Sequence, residues 1–140
     1  MPISVTLAPE TKDKLPAGSR RRFALLAAAA QRAAKRRYAQ VGLVFVGQAA
    51  MRALNRRYRK HDKVTDVLSF TYRSSPVEGE IIVCLPQAKR QAAVRKHTLK
   101  KELDALITHG LLHLAGHDHM RARERTRMRA LEQAVLRLAK

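Results

Sequence analysis

The segment Thr108-His109-Gly110-Leu111-Leu112-His113-Leu114-Ala115-Gly116-His117-Asp118-His119 holds four of the chain's six histidines. His109 and His113 stand one helical turn apart, so on a helix both imidazoles leave the same face. Gly116 can end that helix, because glycine adopts the left-handed backbone common at helix C-termini. The chain can then turn back and bring His119 toward the first two. Three neutral imidazoles on one point leave a coordination position open for water, the arrangement of catalytic rather than structural zinc. Zinc is the default ion for this donor set, one per chain, with nickel, copper or iron(II) as alternatives. Asp118, next to the third histidine, could orient an imidazole N–H or cap the following helix. His117 could stack, transfer a proton or simply face solvent.

The spacing also matches the metzincin protease signature H-E-x-x-H-x-x-G-x-x-H, with one departure. The glutamate that serves those proteases as general base is replaced by Gly110, which has no side chain. Metal geometry without the proteolytic base points to a different hydrolysis.

These residues need elements to hold them. Residues 2–7 alternate and read as a strand, and Pro9 to Gly18 as a loop. Ser19 is the expected cap of a helix running to about Tyr38. Val41 to Val46 reads as a strand, and about Gln48 to Tyr58 as a second helix. Val67 to Tyr72 alternates, Ser74 to Gly79 carries Pro76 and Gly79, and Ile81 to Leu85 is apolar; this predicts an antiparallel hairpin. Pro86 suits the first turn of a helix through about Arg95. Thr98 is the expected cap of the histidine helix, which runs to about Ala115. Its buried stripe is Leu103, Leu106, Ile107, Leu111 and Leu114, with His109 and His113 projecting beside it at the edge of the core. A last helix covers about Arg121 to Ala139. The order predicts a single α+β domain over residues 1–140, a small mixed sheet of about four strands packed with about five helices and a zincin-like metal helix.

The chain's 140 residues suit one core, and with 4% aromatics and no tryptophan that core must be aliphatic. No apolar run approaches the roughly 18 residues that span a bilayer, and the N-terminus lacks a signal-peptide pattern, so no membrane association is expected. Cys84, a lone cysteine, offers no internal disulfide and reads as a small buried hydrophobe rather than a link to a partner. That fits a reducing, cytoplasmic setting. Lys+Arg number 29 against 11 Asp+Glu, a net charge of +18 that favours a polyanionic partner, nucleic acid first; on charge alone an anionic membrane surface is the main competitor, though not the expected partner.

With these residues in view, the chain resembles the YbeY family of endoribonucleases, the ribosomal-RNA maturation factors. His109, Gly110, Leu112, His113, Leu114, Gly116, Asp118 and His119 match the family pattern H-G-x-L-H-L-x-G-Y-D-H. The block from Asn55 to Phe70 resembles N-x-x-Y-R-x-x-D-x-x-T-D-V-L-S-F, and Gly79 to Val83 resembles G-D-I-x-I. The likeness covers roughly residues 40–135. Departures are His117 for the usual tyrosine, Glu80 for an aspartate, Ala105 where many members carry another histidine, and an arginine-rich final helix.

The resemblance implies metal-dependent cleavage of single-stranded RNA in small-subunit ribosomal RNA 3′-end processing and ribosome quality control. His109, His113 and His119 would hold the metal, and Arg59 is the candidate catalytic residue. A guanidinium can hold phosphate oxygens bidentately and stabilise charge developing at phosphorus. Arg56, Arg57 and Lys60 would steer the RNA backbone, and Thr65 to Phe70 reads as the strand shaping the cleft. The implied partners are RNA, ribosomal RNA and the small ribosomal subunit. The alternative is a non-catalytic ribosome assembly factor with a structural metal.

Overall fold

The computed structural model describes residues 3–117 and 121–140. The elements follow in the order β1 (Ile3–Leu7), α1 (Ser19–Ala34), β2 (Tyr38–Val46), α2 (Gln48–Arg59), β3 (Val67–Ser74), β4 (Val77–Cys84), α3 (Leu85–Val94), α4 (Leu99–Leu114) and α5 (Ala122–Leu138). The sheet runs β1-β2-β4-β3. β1, β2 and β4 are parallel, and β3 pairs antiparallel with β4 as the outer strand. This is the expected mixed sheet of four strands with five helices in one α+β domain.

Alternation along the strands divides the apolar residues between two faces. Val41, Leu43, Phe45, Val77, Ile81 and Val83 join the larger core with residues of α1, α4 and α5. Val46, Leu68, Ile82 and Cys84 turn to the other face, where Met51 of α2 packs on them. Cys84 is fully buried, and burial pushes its thiol above the usual range.

Three boundaries differ from the sequence expectation. The first helix stops at Ala34, not Tyr38, because Lys35 takes a left-handed conformation and caps it. Tyr38 then begins β2, buried, with its hydroxyl donating to the Leu111 carbonyl at 2.7 Å. Ser19 does not cap α1; its hydroxyl donates back to the Pro16 carbonyl at 2.6 Å. β4 begins at Val77 rather than Ile81, so Gly79 lies in the strand and not in the turn. A Cβ on Gly79 would stand 2.4 Å from the Phe70 carbonyl oxygen and 2.7 Å from Leu114 Cδ2, so a bare backbone here lets α4 lie close on the hairpin.

The histidine helix is fixed at both ends. Thr98 accepts from the Lys101 N–H at 3.1 Å, the expected N-cap. At the other end Gly116 has φ +95, its N–H donates to the His113 carbonyl, and the His117 N–H donates to the Leu112 carbonyl. That pair of bonds closes the helix in a Schellman turn at the glycine singled out by the sequence.

One polar network gathers on a buried carboxylate and reaches out to the surface at Arg95. Glu102 of α4 is 0% exposed and accepts from Gln91 Nε2 at 3.0 Å and Arg95 Nη1 at 2.9 Å, with His97 Nε2 at 2.6 Å. The Gln91 amide also donates to Asp66 Oδ2 at 3.1 Å, tying α3 and α4 to the start of β3. Glu102→Ala strips this knot of its acceptor at a fully buried position and is expected to cost about 2 kcal/mol, read as a lower urea midpoint at unchanged slope.

Candidate active site

The block Gln48–Arg59 forms a helix whose apolar positions sit on the sheet while its last turn carries Arg56, Arg57 and Arg59. Lys60 ends it in a left-handed conformation, its N–H donating to the Asn55 carbonyl. Asn55 is buried and donates from Nδ2 to the Lys63 carbonyl at 3.0 Å. One asparagine thus fixes both the helix end and the loop beyond it. This delivers Arg59, at the last helical position, and Thr65-Asp66, just before β3, to the same place.

That place is a cleft of about 260 Å³ lined by Arg59, Thr65, Asp66, Val67, Ser69, His109 and His113. The histidine rings are neighbours, with centroids 4.7 Å apart and planes at 62°. The structure therefore brings together Arg59 and two of the three histidines singled out from the sequence. His119 and Asp118 lie outside the described residues. Among the described residues alone, no group of three or more histidine, cysteine, aspartate or glutamate side chains is placed to hold a metal ion.

Arg56, Arg57 and Lys60 are exposed but do not line this cleft. Arg56 lines a separate hollow with Arg52 and Asp62. There Arg52 and Asp62 pair in two parallel hydrogen bonds, and the guanidinium holds the Asp62 carboxyl below its usual range. The Arg57 guanidinium lies 5.4 Å from the centre of the Tyr58 ring. His117 lines another hollow, with Gly116, Glu124 and Arg127. Burial, then the charges of Arg127 and Arg36, push its imidazole below the ordinary histidine value.

Two site residues were missed or undervalued from the sequence. Glu132 of α5 places Oε2 3.1 Å from His109 Nδ1. A carboxylate can only accept, so in the neutral ring the proton sits on Nδ1 and Nε2 keeps its lone pair. A signal existed: Glu132 lies four residues after Met128 and three before Val135, the two buried residues of α5, so it belongs to the inward stripe of an arginine-rich helix. Asp66, read from the sequence as part of a shaping strand, is the one carboxylate among the cleft-lining residues. Gln91 holds its Oδ2, and the Thr65 hydroxyl stands 3.5 Å from Oδ1.

Gly110 explains why the protease-like spacing lacks its glutamate. Its Cα faces the sheet, and a Cβ there would meet Ile81 Cγ2 at 2.9 Å and Cδ1 at 3.0 Å. Position 110 packs α4 against β4 and does not look into the cleft. A glutamate there would be buried in the core without serving as a base.

The donor set suits a borderline transition metal. Two imidazoles share one wall of an open polar cleft, and one has its outer nitrogen engaged by a carboxylate, as ligating histidines commonly do.

The sequence profile of the family described as "Endoribonuclease YbeY" matches residues 10–140. A Bordetella petrii protein of that name is 43% identical over 101 residues, covering 70% of this chain and 65% of its own length. A Myxococcus xanthus protein of the same name is 44% identical, covering 69% of this chain but 35% of its own length. A Bordetella pertussis protein, named likewise, is 43% identical over 117 residues, with 81% of this chain and 74% of that protein aligned. The chain thus spans less than two thirds of the length of the first two. A solution structure of a Thermotoga maritima protein matches with a TM-score of 0.59 at 26% identity, covering 95% of this chain and 88% of that one. Among the described residues no helix is long and apolar enough to cross a membrane.

Proposed function

The chain belongs to the YbeY family, and from that premise and the cleft we propose that it is a metal-dependent endoribonuclease that cuts single-stranded RNA. The natural target is small-subunit ribosomal RNA near its 3′ end, with the small ribosomal subunit as partner. The observation that carries the reading is the convergence of Arg59, His109 and His113 on one polar cleft.

His109, His113 and His119 would hold the metal, zinc by default and nickel as an alternative, which supplies Lewis-acid charge next to a phosphate oxygen when bound. The protein's own residues do the rest. Arg59 forks onto two non-bridging phosphate oxygens and meets the negative charge that grows as the fifth bond forms at phosphorus. Glu132 holds the Nδ1 proton of His109 and so fixes the orientation of that ring. Asp66 offers an acceptor on the cleft floor to a water or to the RNA 2′-hydroxyl, and its anchoring by Gln91 keeps the carboxylate in place. The excess of positive charge draws the polyanion in, and binding should weaken steeply with salt.

The test is cleavage of a 5′-labelled single-stranded RNA by the purified chain, with elemental analysis of the same sample. Cleavage that stops with a chelator, returns with zinc and spares the same sequence as a duplex is the expected result. Metal-loaded protein that leaves both RNAs intact would overturn the reading and favour a binding role in ribosome assembly.

A further inference from the structure

The chain contains only six phenylalanines and tyrosines and no tryptophan. Phe23, Phe45 and Tyr38 are buried in the larger core. The other three, Tyr58, Phe70 and Tyr72, gather on the far side of β3 from the histidines. Val67 and Ser69 face the cleft. Leu68 and Phe70, one residue along, turn to the opposite face beside α2. Tyr58 sits one residue before Arg59 and meets the Phe70 ring edge-on, centroids 5.2 Å apart. The Tyr72 hydroxyl donates to Glu80. Its phenol is pushed up by that bond, by burial, and by the nearness of Glu80 and Tyr58. Tyr58 is 55% exposed and Tyr72 66%, and they are the exposed aromatic residues among those described.

Tyr72 lines a hollow with Glu78 and Glu80, whereas Tyr58 lies beside Arg57 and directly precedes Arg59. Exposed rings in so aromatic-poor a chain, with cations at the Tyr58 end, call for a ligand with flat faces whose negative charge runs past Arg57 and Arg59 and not past Tyr72. We propose that Tyr58, Phe70 and Tyr72 form a ledge on which unpaired RNA bases stack, while the adjoining phosphates pass Arg57 and Arg59 into the cleft. This deepens the reading above and rests on it. β3 is the outer strand of the sheet, so an RNA strand can fold over its edge, with bases on the ledge and a phosphate at Arg59. Base-paired bases are already stacked on their neighbours and cannot use the ledge, so the ledge selects single strands. Stacking needs only a π face, so base identity matters little.

The experiment is fluorescence anisotropy with a labelled, uncleavable 2′-O-methyl oligoadenylate of about 12 nucleotides and with an abasic strand of the same length and charge. Wild-type protein should bind the base-bearing strand more tightly. Tyr72→Ala should weaken that strand about tenfold and leave the abasic strand unchanged; Tyr72→Phe, which keeps the ring, should bind as wild type does. Tyr58→Ala tests the inner ring in the same way. Equal wild-type affinity for both strands, or equal losses on both in the alanine variants, would overturn the ledge while leaving the cleft intact. Wild-type protein that binds neither strand would sink the RNA reading itself.

Discussion

Arg59→Ala should lower kcat for single-stranded RNA cleavage by about 10²–10³, the usual effect of deleting a preorganised group that meets transition-state charge. Arg59 is exposed at the end of α2 and lines the cleft with His109 and His113, so its loss leaves no core cavity and the fold should be unaffected. Arg59→Lys separates two roles. Lysine keeps the positive charge but not the planar fork that grips two oxygens. If Arg59 clamps the phosphate, the lysine variant stays well below wild type in kcat while recovering most of the binding. If charge alone matters, lysine restores both. Arg56→Ala is the control, because Arg56 lines a different hollow. It should raise KM and flatten the salt dependence, with kcat unchanged. An Arg59→Ala enzyme with wild-type kcat would remove Arg59 from the chemistry.

Much of this arrangement was legible in the sequence because its determinants are local. The i, i+4 histidines, the Thr98 cap and the Gly116 stop all act within one or two helical turns, and all three appear as read. The hairpin of β3 and β4 was legible for the same reason. What escaped was set by tertiary contact. Nothing near Tyr38 in sequence shows that its hydroxyl will meet the Leu111 carbonyl, 73 residues away, and so alanine-rich periodicity carried the expected helix too far. Gly79 looks like a turn residue until α4 is laid on the hairpin, when its missing Cβ proves to be room for Leu114. Glu132 escaped because the charge pattern of α5 is dominated by arginine, and only its place on the buried stripe marks it.

The same contrast bears on chemistry. From spacing alone, Gly110 is a protease base deleted. In the fold it is a packing position, with Ile81 where a side chain would go. Position 110 therefore lacks the metzincin base on two counts, the absent carboxylate and the packing of that position on Ile81. Among the described residues the cleft holds the Arg59 guanidinium, two imidazoles and the Asp66 carboxylate, and the proposed phosphodiester substrate suits that guanidinium better than a neutral amide would.

His113→Ala should weaken zinc binding by more than about 100-fold, since even partners behind the ligands are worth 10–100-fold, and RNA cleavage should fall by about 10³ or more with the lost Lewis acid. His113 is only half-buried at the edge of the core, so the far-UV circular dichroism should not change. Glu132→Gln is expected to fall between this variant and wild type. Its amide oxygen can still accept from His109 Nδ1, but without the charge that strengthens the bond. Glu132→Ala should lose about 10–100-fold in zinc affinity, with cleavage recovering at high zinc; His113→Ala should not recover. Competition against a chromogenic chelator measures the affinities without recourse to activity. The pH dependence has a fixed sign. Imidazole ligands bind metal only when neutral, so protons compete and zinc retention should fall as the solution is acidified. A His113→Ala protein that holds one equivalent of zinc at wild-type affinity would place the metal elsewhere and take the cleft's chemistry with it.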